Sequence, residues 1–188
     1  MAQLGEFERK LQSFIANASI GASTTRRLIP KRSIGDVRRF LKTEIKPEIF
    51  ANVTAKNFGS KLDRLTKKLQ TCSSRGYIRW GPARKFINLY LRDLSYNYRL
   101  RRVYRFSQFE NFLELPIDSN VAVWLEAKGA EGLPRWPGVK HLGKSKHIKF
   151  QECADAIAEK CKISKVHLDL DAWRNEEVLK SARRNRKK

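Results

Sequence analysis

The sequence of 188 residues is poor in cysteine (3) and methionine (1) and carries fewer than half as many acidic residues (19) as basic ones (40). Cys72, Cys153 and Cys161 are odd in number, widely spaced and form no CxxC pair. That fits reduced thiols inside a cell better than a disulfide framework or a zinc knuckle. No apolar run approaches a bilayer span; one of the longest, Val121 to Leu125, suits a buried helix. The opening segment holds Glu6 and Glu8 and no apolar stretch, so neither a secretory signal nor a transit peptide is expected. Strand-like alternation is absent except at Val166 to Leu170, and no internal repeat stands out.

What remains is charge on a foldable background. The formal net charge is +21 while 41% of residues are hydrophobic. This is too apolar for a disordered basic tail and too basic for an ordinary metabolic enzyme. A fold that repels itself so strongly implies a polyanionic partner such as nucleic acid or an anionic membrane surface. The length suits one domain, or two small lobes sharing a cleft. The expectations are therefore a cytoplasmic, nucleoid-associated monomer with no membrane contact, no metal and no cofactor.

Helical periodicity recurs through Leu4, Phe7, Leu11, Phe14, Ile15 and Ala18, then Val37, Phe40, Leu41 and Ile45, then Phe58, Leu62, Leu65 and Leu69. Between the first two, the connector holding Arg26, Arg27, Lys31 and Arg32 is a candidate phosphate contact or an ordinary solvated loop. Pro82 fits a first helical turn, and the apolar face from Phe86 to Tyr98 predicts a long central helix lasting to about Val103. A short helix is expected around Ser107 to Glu114, and Asp118 is placed as the N-cap of a helix through Val121 to Leu125. Gly129 to Lys146 reads as a long loop, followed by helices from His147 to Lys162 and from Asp169 to Arg184. Residues 181–188 form a basic tail. The expected fold class is all-α.

The informative stretches are Trp80-Gly81-Pro82-Ala83-Arg84-Lys85-Phe86-Ile87-Asn88 and Leu115-Pro116-Ile117-Asp118-Ser119-Asn120-Val121. A tight glycine turn opening a helix aims backbone N–H groups at phosphate without reading bases, which makes Gly81, Ala83 and Arg84 candidate DNA contacts. Together the two segments resemble the helix-hairpin-helix DNA glycosylase superfamily over about the middle quarter of the chain. In that superfamily a glycine-rich hairpin leads to a lysine and an apolar helix, and a later segment supplies an essential aspartate. Lys85 and Asp118 fall on those positions. Ala83 stands at the usual second glycine and Trp80 at the usual proline, while the 33-residue separation of the pair looks most like archaeal GO glycosylase.

The resemblance implies a two-lobed helical fold with a helix-hairpin-helix motif and a cleft between lobes. Residues 34–115 would form one lobe, and 1–33 with 116–180 the other. It also implies a partner, double-stranded DNA with a damaged or modified base, and an enzyme that excises that base, with abasic-site lyase activity if Lys85 attacks. A fixed carboxylate stabilises the oxocarbenium-like sugar left when an N-glycosidic bond breaks, the role of Asp118. A lysine attacks only as the free amine and then forms a Schiff base; otherwise Asp118 orients a water. The excised base is oxidised guanine or a modified pyrimidine, including modified cytosine in phage DNA, which would make the role defence rather than repair.

A base must leave the stack before this chemistry, so stacking and wedge groups are needed. Trp136 and Arg135 in the glycine-rich loop, with Trp80, Gln151 and Asp171, are the candidates; Trp136 equally suits the pinning of a loop. Trp124 and Trp173 read as core, and His141, His147 and His167 as solvated. Each main assignment has a plain counterpart: Lys85 as one more surface cation, Asp118 as a cap only. A noncatalytic helical nucleic-acid-binding protein is the competing reading, and a basic nuclease toxin a weaker third.

Overall fold

The computed structural model describes residues 4–74 and 76–174. Nine α-helices lie among the described residues: α1 (Glu6–Ser19), α2 (Ala22–Thr25), α3 (Ile34–Glu44), α4 (Ala55–Gln70), α5 (Trp80–Tyr96), α6 (Tyr98–Tyr104), α7 (Ser119–Ala127), α8 (Lys144–Cys161) and α9 (Leu168–Arg174). Short 3-10 turns interrupt the connections, and no strand occurs among the described residues, so the fold is all-α. No described helix is long and apolar enough to cross a membrane. The basic tail 181–188 and the continuation of the last expected helix beyond Arg174 lie outside the described residues.

Two hydrophobic clusters organise the chain. The first joins α1 and α3–α6 through Ile15, Val37, Leu41, Leu62, Leu69, Phe86, Tyr90 and Leu94 and includes the ring group Phe50, Phe58, Phe106 and Phe109. The second joins α7, α8 and α9 through Ile117, Val121, Trp124, Leu125, Phe150, Ala154 and Leu168. Each fully buried large side chain contributes about 1.5–3 kcal/mol relative to exposure. The changeover falls between Leu113 and Leu115, with Val166 returning to the first cluster. Ile15, Ala16 and Ile20 pack in the first cluster, so the amino-terminal segment joins residues 34–113 and not the carboxy-terminal half expected from sequence.

Several local expectations are corrected. The long central helix ends at Tyr96, because the Asn97 side chain accepts from Leu100 N at 3.1 Å and caps a separate α6. Ser107 to Glu114 holds parts of two 3-10 turns, Phe106–Gln108 and Glu110–Phe112, in place of a helix. The strand-like run Val166 to Leu170 is a 3-10 turn leading into α9, whose first turn carries Asp169 and Asp171, favourable at a helix N-terminus. α8 begins at Lys144, earlier than expected. Phe7 and Phe14, counted as core by periodicity, are exposed on α1.

The glycine turn is also relocated. Trp80 to Ala83 form the first turn of α5, so Gly81 lies inside the helix and not in a turn ahead of it. Gly81 is needed for packing: a Cβ there would collide with the carbonyl of Val139 and lie 2.8 Å from that of Leu142. The segment Val139–Leu142 thus lies directly on the start of α5. Gly81→Ala is expected to lower unfolding free energy by about 1–3 kcal/mol despite alanine's better helix propensity, measured as an earlier urea midpoint.

Candidate active site

α5 supplies one wall of an open cleft of about 730 Å³. Lys85, Leu89, Arg92, Asp93 and Tyr96 line it at spacings of four, seven, eight and eleven from Lys85, one face of a helix. Asp118 to Asn120 at the start of α7 and Asp169, Leu170 and Trp173 of α9 line it as well. Ala18 and Ser19 at the end of α1, Arg26 and Leu28 beyond α2, and Val139 also belong to the lining.

Asp118 is held from behind. Its Oδ1 accepts from Asn120 N at 2.9 Å and Val121 N at 3.1 Å, capping α7 as the sequence leads one to expect, which leaves Oδ2 facing Lys85. Lys85 Nζ lies 3.4 Å from that oxygen, and the two side chains are 10% and 12% exposed. A residue on α5 and one 33 positions later therefore meet at the cleft wall, mostly shielded yet open to a ligand. Beside them runs a second polar chain. Arg92 pairs with Asp93 at 2.7 Å and with Asp169 at close range, and Ser19 Oγ donates to Asp93 at 2.5 Å. Burial pushes the Asp169 carboxyl up to about 6, partly opposed by Arg92 and reinforced by the nearby Asp118 charge. Burial, opposed by Arg92, likewise pushes the Tyr96 hydroxyl up to about 12.

Three cationic side chains, Arg26, Lys85 and Arg92, meet three carboxylates, Asp93, Asp118 and Asp169, around this cleft. The interior is balanced although the whole chain is +21. The excess positive charge therefore lies outside the cleft lining, which itself offers both hydrogen-bond donors and acceptors.

Other residues selected from sequence fall in different places. Arg26 reaches the cleft, while Arg27, Lys31 and Arg32 lie exposed just beyond it in sequence. Gly81 and Ala83 are buried, and Arg84 is buried among acids, so none of the three is presented to a backbone phosphate. Arg84 Nη2 binds Asp63 at 2.5 Å, Nη1 donates to Thr66 at 2.9 Å, and Nε forms an ion pair with Glu114 at 3.2 Å. Trp80 is half-buried, with this guanidinium 5.1 Å over its ring and His147 edge-on to it, and it is not among the cleft-lining residues. His147, expected in solvent, is buried with Nε2 at 2.8 Å from Glu114. Burial would raise the Glu114 carboxyl, but Arg84, His147 and the Asn88 amide outweigh it and hold it at about 2.

Trp136 and Arg135 line a separate cavity of about 600 Å³ with Glu126, Leu133 and Phe150, and Trp136 meets Phe150 edge-on. They are not among the residues lining the Lys85–Asp118 cleft. Gln151 is buried and holds both the N–H and the C=O of Leu115, a backbone clamp and no base contact. Asp171 is exposed outside the cleft lining, and Asp169 supplies the α9 carboxylate instead. Trp173, taken as core, is 54% exposed at the cleft. Sequence alone did not single out Arg92, Asp93 and Tyr96, which continue the Lys85 face; Asp169 and Trp173 share the i, i+4 spacing of one face of α9.

Among the described residues no group of His, Cys, Asp and Glu is arranged to hold a metal ion. Comparison with protein-family models, curated proteins and solved structures found no match to this chain.

Proposed function

We propose that the chain is a DNA glycosylase of the helix-hairpin-helix kind, acting on double-stranded DNA with a damaged or modified base. The observation that carries this reading is Lys85 Nζ standing 3.4 Å from Asp118 at the wall of an open cleft. An extruded nucleotide would sit with its sugar against that pair and its base toward Arg92, Asp93, Asp169 and Trp173. As the C1′–N bond breaks, the electron pair leaves with the base, which takes up the proton that the Lys85 amine sheds on bonding to C1′. The Asp118 carboxylate stabilises the positive charge left on the deoxyribose. Lys85, as the free amine, bonds to C1′ and opens the sugar to a Schiff base, from which loss of the 3′ phosphate by β-elimination nicks the strand. The +21 charge supports a phosphate-dominated encounter whose affinity falls steeply with salt.

Borohydride reduction in the presence of abasic-site DNA tests the chemistry. The expected result is a covalent adduct with the wild type, none with Lys85→Gln, and an undiminished one with Arg64→Gln, a change at an exposed residue of α4 outside the cleft. DNA binding without an adduct and without release of any base would establish the noncatalytic binding module instead. Oligonucleotides carrying 8-oxoguanine or modified cytosines, and phage DNA rich in the latter, identify the substrate between oxidised guanine and a modified pyrimidine.

A further inference from the structure

We propose that the exposed face of α1 is a stacking surface for unpaired bases, along which a single strand of nucleic acid runs out of the cleft. Phe7 and Phe14 are 54% and 71% exposed, too open for core residues. Seven positions apart on one helix, they share a side and stand about 10 Å apart along its axis. Ala18, one turn beyond Phe14, already lines the cleft, so the rings continue that lining outward. Tyr98, 72% exposed at the first position of α6, adds a third ring on the helix that packs beside α1.

Guanidinium groups accompany the rings. Arg99 lies 5.0 Å from the centre of Phe7 and Arg102 lies 5.7 Å from that of Tyr98. The nearby acids are already engaged: Glu8 pairs with Arg99 at 3.2 Å, and Glu6 with Lys10 at 2.7 Å. Flat apolar faces interleaved with cations match a strand that offers bases and phosphates in alternation, and stacking accepts any base. A second copy of the chain is the poorer occupant, because +21 meets +21 across such a face. The inference rests on the nucleic-acid half of the proposed function and not on its glycosidic chemistry.

Fluorescence anisotropy with a short labelled oligothymidylate, and with a duplex of equal length, tests it. Phe14→Ala is expected to weaken single-strand binding about tenfold and the Phe7→Ala/Phe14→Ala pair about a hundredfold, with duplex binding changed by less than about twofold. Phe14→Tyr is expected to bind as the wild type does, whereas Phe14→Leu, which keeps apolar area without a ring, is expected to behave like the alanine variant. Matched thermal unfolding checks that each variant folds. Equal losses on both DNAs, full binding by Phe14→Leu, a loss confined to anionic phospholipid vesicles, or conversion of a dimer to a monomer in sedimentation would each overturn the proposal. Borohydride trapping on abasic duplex at saturating protein is expected to be unchanged in the paired variant. A failed stacking test therefore leaves the chemistry standing, and a failed trapping test leaves the stacking surface standing.

Discussion

Asp118→Asn is expected to slow base release about 10²–10³-fold, far beyond the modest fall in urea midpoint that loss of its ion pair with Lys85 brings. The two outcomes separate because the two carboxylate oxygens face different tasks. Oδ1 accepts the N–H groups of Asn120 and Val121, and an asparagine oxygen caps a helix about as well as aspartate does. Oδ2 faces Lys85 and the cleft, where an amide brings no charge to set against a cationic sugar. Loss of one preorganised electrostatic contact in a shielded site costs about 10²–10³ in rate. Single-turnover release from the oligonucleotide that the wild type processes measures the first effect, and urea unfolding the second. Asp118→Ser, another good cap without charge, is expected to match Asn in both. An unchanged release rate would reduce Asp118 to a cap; a rate that falls only in step with the midpoint would do the same.

The parts of this molecule legible in sequence are those governed by neighbours along the chain. The Asp118 cap was legible because an N-cap needs only an acid two and three residues ahead of the amides it accepts from. Most helix positions followed from 3.6-residue periodicity, which reports one apolar face of each helix. That same rule overcounted at Phe7 and Phe14, since periodicity registers a ring without knowing whether another element covers it. At Asn97 a capping side chain overrode continuing apolar spacing and divided one expected helix into α5 and α6.

The candidate site divides in the same way. Lys85 and Asp118 were legible through a resemblance, whereas Arg92, Asp93 and Tyr96, which sequence alone did not single out, share the Lys85 register on α5. Asp169 and Trp173 were not legible, because docking of α9 on α7 turns those residues toward the cleft and no local pattern reports it. For that reason it is Trp173, and not the chosen Trp136, that lines the cleft with Lys85 and Asp118. A tryptophan between Arg135 and Pro137 in a glycine-rich loop looks available to a ligand, yet Trp136 leans on Phe150 around a different cavity. Arg84 looked like a phosphate contact because it lies beside Lys85; its acidic partners Asp63 and Glu114 are far away in sequence.

Replacing that guanidinium has the largest expected effect on stability: Arg84→Met should lower unfolding free energy by about 3–5 kcal/mol, the range for breaking a buried ion pair by removing one partner. Asp63 is partly exposed and keeps Lys144 at 2.6 Å, so the cost concentrates on Glu114, left buried with only His147 and Asn88. The pH dependence follows from the direction of the Glu114 shift. Against its tendency to rise on burial, the carboxyl is held at about 2, below its ordinary 4.5, by Arg84, His147 and Asn88. A depressed carboxylate stabilises the fold above its unfolded value and loses that contribution as pH falls through the folded one. The gap between wild type and Arg84→Met should thus be full at pH 7 and narrow between about 4.5 and about 2, as urea unfolding across that range would measure. Arg84→Lys should recover only part of it, because one ammonium cannot span Asp63, Thr66 and Glu114 as the guanidinium fork does. A variant of normal stability but weakened DNA affinity would instead make Arg84 a phosphate contact, and a gap independent of pH would remove Glu114 as its partner.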